Sequence, residues 1–206
     1  MPTRIAAIVP VATFEDAKSR LGRTLDAEER QDLTERLLTK TVGAALAVPR
    51  LADVLVVSPD REVLRRAADL GARTLRQRSR GLNAGLDEAR ADAVAGGADA
   101  LLVLPIDLAF VSTDAIADVL ESLGAGEQLV ALVTDRHATG TNALALRPPD
   151  VIGFSFGTGS RLAHRVAAEA AGARFVEVAG PLTFDIDTPA DLVLVESMAP
   201  EGIGAG

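Results

Sequence analysis

The 206-residue chain has no cysteine, no tryptophan and no tyrosine. Without cysteine there is no disulfide, no thiolate zinc site and no thiol nucleophile, a profile that suits a cytoplasmic enzyme. Aromatic residues reach only 3 %. Stacking platforms for bases are therefore scarce, and a nucleobase would have to be met by backbone groups, amides and aliphatic side chains. Histidine is nearly absent: His137 and His164 are too far apart for a compact metal motif, and both read as structural or surface residues. Basic surplus is missing too. A net charge of −8 argues against a nucleic-acid partner. No run of about 18 apolar residues is present, so no membrane-spanning helix is expected. The apolar stretch after Met1 is too brief and too strand-like for a signal peptide.

What is there is a hydrophobic fraction of 48 %, enough for one sizeable core. Short aliphatic runs predict strands at 4–11, 52–58, 72–75, 100–105, 129–134, 143–146 and 174–178. Longer amphipathic stretches predict helices at 27–47, 60–70, 83–96, 113–123, 158–171 and 189–197. Asp26 ahead of Glu28 and Glu29, and Thr188 ahead of Pro189, are helix-start signals. The alternation predicts an α/β fold, with a mostly parallel mixed sheet flanked by helices. No linker divides the chain, so a single domain is expected over 1–198, with a Gly- and Ala-rich tail at 199–206 that should fray. In open α/β sheets ligands sit beyond the carboxyl ends of the strands. The loops after the strands at 4–11, 100–105 and 129–134 should therefore surround the site.

Those loops carry the polar residues. Asp107 ends the apolar run Leu101-Leu102-Val103-Leu104-Pro105-Ile106. A carboxylate there is costly unless paired or metal-bound, although it could instead be a turn-forming residue. Asp185 and Asp187 alternate in an extended segment, so they point the same way and repel, which a divalent cation would relieve. Asp187 or Thr188 could instead cap the following helix, and one of the aspartate pair could do so while the other binds metal. Lys18 and Arg20 could neutralise a triphosphate, or simply be solvated. Thr139-Gly140-Thr141-Asn142 and Phe156-Gly157-Thr158-Gly159-Ser160 could let backbone amides approach an anion, the second at a helix start, or they could be ordinary turns. Arg76, Arg78 and Arg80 read as a solvated loop, and Asn83 as a cap or a nucleoside contact. Neither Gly-rich stretch has the spacing of a Walker loop or a dinucleotide fingerprint.

Six motifs in order give the chain a specific resemblance over nearly its whole length. They are Pro10-Val11 with Ala17-Lys18-Ser19-Arg20-Leu21, Gly81-Leu82-Asn83-Ala84, Leu104-Pro105-Ile106-Asp107-Leu108, Gly140-Thr141-Asn142-Ala143-Leu144, Phe156-Gly157-Thr158-Gly159-Ser160, and Phe184-Asp185-Ile186-Asp187-Thr188-Pro189. The chain resembles the 2-phospholactate/phosphoenolpyruvate guanylyltransferases of coenzyme F420 biosynthesis. That resemblance implies a compact nucleotidyltransferase of Rossmann-like, GT-A type. It implies transfer of GMP from GTP to a small phosphorylated three-carbon acid, with magnesium as cofactor and loss of diphosphate. Lys18 and Arg20 would grip the GTP phosphates, and Asn83 would contact the nucleoside. Asp107, Asp185 and Asp187 would hold the metal. Thr141, Asn142, Gly157 and Ser160 would hold the acid. A homodimer is compatible with it. Rival readings are a 3-phosphoglycerate guanylyltransferase, another small-molecule nucleotidyltransferase, or a nucleotide-binding module without catalysis. Two departures stand out: Ala12 where the family often has Lys, and Ala109 where Pro is usual.

Overall fold

The computed structural model describes residues 3–14, 21–22, 24–124 and 128–198, without the Glu196 side chain. Its elements run β1 (Ile5–Pro10), α1 (Ala27–Leu46), β2 (Leu51–Ser58), α2 (Arg61–Asp69), β3 (Arg73–Arg76), α3 (Leu82–Ala95), β4 (Ala100–Val103), α4 (Thr113–Glu121), β5 (Leu129–Thr134), β6 (Thr141–Arg147), α5 (Ser160–Ala170), β7 (Arg174–Glu177), a 3₁₀ turn (Pro181–Thr183) and α6 (Pro189–Met198). Each expected strand and helix is present, with ends that differ by at most two residues. The tail expected to fray lies outside the described residues.

The strands form one seven-stranded sheet in the order β3-β2-β1-β4-β6-β5-β7. Only β6 runs against the others. Its direction follows from a short loop: six residues between Thr134 and Thr141 cannot carry a crossover, which needs a dozen or more. The central strands are almost continuously apolar because both faces are covered. Residues alternate between two cores. Ala7, Val9, Leu102, Leu104, Ala131 and Ala145 pack on the side of α1, α2, α4 and α6. Ala6, Ile8, Leu101, Val103, Leu132 and Leu144 pack on the side of α3 and α5.

Asp26 caps α1 through a capping box with Glu29: Glu29 N donates to Asp26 Oδ1 at 2.9 Å, and Asp26 N donates to Glu29 Oε2 at 2.8 Å. The chain leaves β1 for β2 on one side and later returns to β4 on the other. The loops after β1 and β4 therefore diverge and open a crevice. Because β6 is reversed, its first residues lie at that same end of the sheet, where Val103 pairs with Leu144 and Thr134 with Thr141.

Candidate active site

Asp107 lies four residues beyond the end of β4, and Asp185 follows the 3₁₀ turn. A short antiparallel bridge stitches the two segments at Leu108 and Asp185. Ala109 N donates to Phe184 O at 2.8 Å, and Ile186 N donates to Asp107 O at 2.9 Å. Phe110 and Phe184 pack edge to face, 5.6 Å apart. Burial pushes the Asp185 carboxyl above the ordinary carboxylate range, and the charges of Asp107 and Asp187 push it further, against a hydrogen bond from Asn142. The three carboxylates named from sequence therefore share one electrostatic field.

Such a set suits a hard cation. Among the described residues no group of three or more His, Cys, Asp or Glu is placed close enough to hold a metal ion by itself. Magnesium usually takes one or two carboxylates and completes its shell with phosphate oxygens and water, so the donors fit without closing on one another beforehand.

The helix after Asp187 is capped by other residues. Asp191 N donates to Thr188 Oγ1 at 3.3 Å, and Thr188 N donates to Asp191 Oδ2 at 2.6 Å. The same Asp191 oxygen accepts Asp187 N at 3.0 Å. Asp191 is only 2 % exposed, and its other oxygen pairs with Arg136 from the β5–β6 loop. Of the two sequence alternatives, Thr188 is the cap residue. The anchoring pair Asp191 and Arg136 was missed. The spacing Thr188-x-x-Asp191 was a legible capping signal, but nothing in the sequence linked it to Arg136.

Next to Asp185 begin the residues expected to hold the acid. Asn142 is buried at the start of β6, and its Nδ2 donates to Leu182 O at 2.9 Å and Thr183 O at 3.0 Å. It thus ties β6 to the turn that leads into Asp185. Thr141 Oγ1 lies 3.0 Å from His164 Nδ1, and His164 Nε2 accepts Ser155 N at 3.0 Å. Gly157 and Gly159 take φ of 127° and 73°, conformations side chains rarely adopt. Ser160 opens α5 and is buried. Two amides of that helix start are already used: Ser160 N donates to Gly157 O at 3.1 Å, and Arg161 N to Thr139 O at 3.2 Å. An anion there would meet fewer donors than a bare helix terminus offers.

A cleft of about 330 Å³ lies beyond β1, β2 and β3, lined by Pro10–Thr13, Pro59, Gln77, Gly81 and Leu82. Leu82 is 45 % exposed, an aliphatic surface of the kind the aromatic-poor composition requires. Gln77 Nε2 donates to Ser79 O and Gly81 O, both at 2.9 Å, and Glu88 accepts the amides of Arg78 and Ser79, so this wall is braced. Asn83 is engaged at both ends of its amide: Nδ2 donates to Phe156 O at 3.1 Å, and Oδ1 accepts Phe156 N at 2.8 Å. In this structure it is a strap between the cleft and the Phe156–Ser160 loop. Arg76, Arg78, Arg80 and His137 are exposed. Lys18 and Arg20 lie outside the described residues.

The two departures also have places. Ala12 lines the cleft. Ala109 is buried, and its carbonyl accepts Lys40 Nζ at 2.9 Å. Its N–H makes the bond to Phe184 described above, which a proline could not donate.

The family model described as guanylyl transferase CofC like matches residues 5–198. A phosphoenolpyruvate guanylyltransferase of Sphaerobacter thermophilus is 44 % identical over 198 residues, covering 95 % of this chain and 94 % of that one. Another, of Rubrobacter xylanophilus, is 45 % identical over 194 residues, covering 94 % of each. A putative nucleotide-diphospho-sugar transferase from Desulfovibrio desulfuricans superposes with a TM-score of 0.77 at 15 % identity, over 95 % of this chain and 87 % of that one. A nucleotidyl transferase from Methanothermobacter gives 0.67 at 19 % identity, over 95 % and 97 %. At those identities the structures establish the nucleotidyltransferase-like fold.

Proposed function

The chain belongs to the CofC-like guanylyltransferase family, and on that premise we propose that it transfers GMP from GTP to phosphoenolpyruvate. The observation that carries this reading is the shared field of Asp107, Asp185 and Asp187 at the crevice between β1 and β4. The cleft beside it supplies room for a nucleoside. The names of the relatives support the acceptor.

An oxygen of the acceptor's phosphate attacks the α-phosphorus of GTP. A new P–O bond forms, the bond to the β-phosphate bridging oxygen breaks, and diphosphate leaves with that electron pair. The attacking oxygen is already ionised at neutral pH, so no proton has to move. The enzyme's task is alignment and charge neutralisation. Asp107, Asp185 and Asp187 would hold magnesium, which when bound neutralises phosphate charge. Lys18 and Arg20 grip the triphosphate, Leu82 and Gln77 face the nucleoside, and Asn83, expected to touch it, supports the cleft through its strap to Phe156. Thr141, Asn142, Gly157 and Ser160 receive the acid. Asn142 has a second task, since it also steadies Asp185. No helix among the described residues is long and apolar enough to cross a membrane. Cytoplasmic placement belongs to the same proposal, supported by the lack of cysteine.

The test mixes the purified protein with GTP, magnesium and, separately, phosphoenolpyruvate, 2-phospholactate and 3-phosphoglycerate. Diphosphate release and product mass are followed. Rapid turnover with phosphoenolpyruvate and a GMP adduct is expected. Turnover with another acid alone reassigns the acceptor. GTP binding without turnover on any of them replaces the reading with a nucleotide-binding module.

A further inference from the structure

His164 is fully buried, and both ring nitrogens are bonded. A backbone N–H can only donate, so Nε2, which faces Ser155 N, is the acceptor. The ring is neutral, because burial pushes its pKa down to about 4. A neutral ring with an unprotonated Nε2 carries its hydrogen on Nδ1. Nδ1–H therefore donates to Thr141 Oγ1. The Thr141 oxygen is thus committed as an acceptor, and its own hydroxyl hydrogen must point elsewhere. No described residue accepts it. Thr141 is only 9 % exposed. A donor so nearly buried and so unused calls for a partner beyond the described residues.

We infer that His164 is a positioning residue for the acceptor: it fixes the Thr141 hydroxyl so that its hydrogen is presented to an anionic oxygen of the bound acid. The inference rests on the acceptor reading of Thr141 given above. A merely satisfied core histidine would explain the two ring bonds, but not the leftover hydroxyl hydrogen. Ser155 belongs to the same bond chain, and its neighbour Phe156 is strapped independently by Asn83. Loss of the imidazole therefore leaves the loop anchored while releasing Thr141.

The test compares His164→Leu, His164→Gln and Thr141→Val with the wild type. Gln offers an amide N–H and a carbonyl oxygen in place of the two ring nitrogens, so it can keep both bonds, whereas Leu keeps neither. Acceptor KM should rise about tenfold in His164→Leu, the scale of one hydrogen bond, with GTP affinity by calorimetry within about twofold of wild type. His164→Gln should recover most of the loss. Adding His164→Leu to Thr141→Val should raise acceptor KM no further, since the ring acts through the hydroxyl. An unchanged acceptor KM in His164→Leu overturns the inference, as does an equal loss for acceptor and GTP. Should His164→Leu not fold, a wild-type acceptor KM in Thr141→Val overturns it instead. A wild type inactive on every acid sinks the functional reading, while an active wild type with an indifferent His164→Leu variant sinks this inference alone.

Discussion

Asp185 carries a conflict that one substitution exposes. Burial and the charges of Asp107 and Asp187 both raise its carboxyl, so its ionised form opposes folding of the metal-free protein at neutral pH. Asp185→Asn should therefore raise the melting midpoint measured without divalent ions. The same change should lower turnover by more than about 100-fold, beyond the usual loss from an outer-shell partner. A variant that is both less stable and fully active would remove Asp185 from the site. Asp107→Asn should collapse turnover while leaving the fold intact. His164 makes a prediction about pH. Its folded pKa, about 4, lies below the ordinary 6.5, so the unfolded chain binds the extra proton first. Stability is fully present above pH 6.5 and falls between there and about pH 4. At about 1.4 kcal/mol per pH unit this is about 3 kcal/mol at most. Asp185 acts in the opposite sense, gaining stability as acid neutralises it. Asp135 and Asp191 are held low by hydrogen bonds that outweigh their burial, so their contributions are lost only below the ordinary carboxylate range. The comparison must therefore be wild type against His164→Gln in denaturant titrations from pH 7 to pH 4.5. The difference between them should shrink as pH falls, and a constant difference would contradict the buried neutral ring.

The helices and strands were readable because each rests on local pattern. β1, β4 and β5 are aliphatic runs of strand length, and α1 opens on a capping box. Strand direction is not a residue property, and it was the six-residue β5–β6 loop that encoded the reversal of β6. The carboxylates were readable because a charge at the end of an apolar strand is chemically conspicuous. Asp191 with Arg136, and His164 with Thr141, were not, because their partners lie 55 and 23 residues apart. Asn83 shows the intermediate case: its position was legible, but its strap to Phe156 was not. Gly85, inside α3, tests how the cleft wall is built. A Cβ there would sit 2.6 Å from Gln77 Cδ and Oε1. That side chain can swing away, but only by surrendering its bonds to Ser79 O and Gly81 O, roughly 1 kcal/mol each. Replacing glycine in a helix interior returns about 1 kcal/mol. Gly85→Ala should therefore destabilise by only about 1 kcal/mol in denaturant titrations, while GTP affinity by calorimetry falls several-fold. Unchanged GTP affinity would show that the braced loop does not shape the nucleoside cleft.

At the scale of the molecule the problem is charge. On the proposed function, a chain of net −8 has to bring together a triphosphate and a phospho-acid, both strongly anionic. Raising ionic strength relaxes the diffuse self-repulsion of such a protein, with a screening length of about 10 Å at 0.1 M. A cation held by Asp107, Asp185 and Asp187 would act locally instead: it would bind only the folded chain, in which the charges of Asp107 and Asp187 act on Asp185. Anything that binds the native state alone stabilises it by mass action. For a site of about 1 mM affinity, magnesium at about 10 mM gives about 1.4 kcal/mol, or roughly 4 °C in melting midpoint for a domain of this size. The measurement is a melting curve with magnesium chloride against sodium chloride at equal ionic strength, without nucleotide. Magnesium should stabilise the wild type beyond sodium, and the excess should vanish in Asp185→Asn. If sodium matches magnesium, or the excess survives the substitution, the three carboxylates do not bind the ion by themselves, and magnesium would have to arrive already bound to GTP.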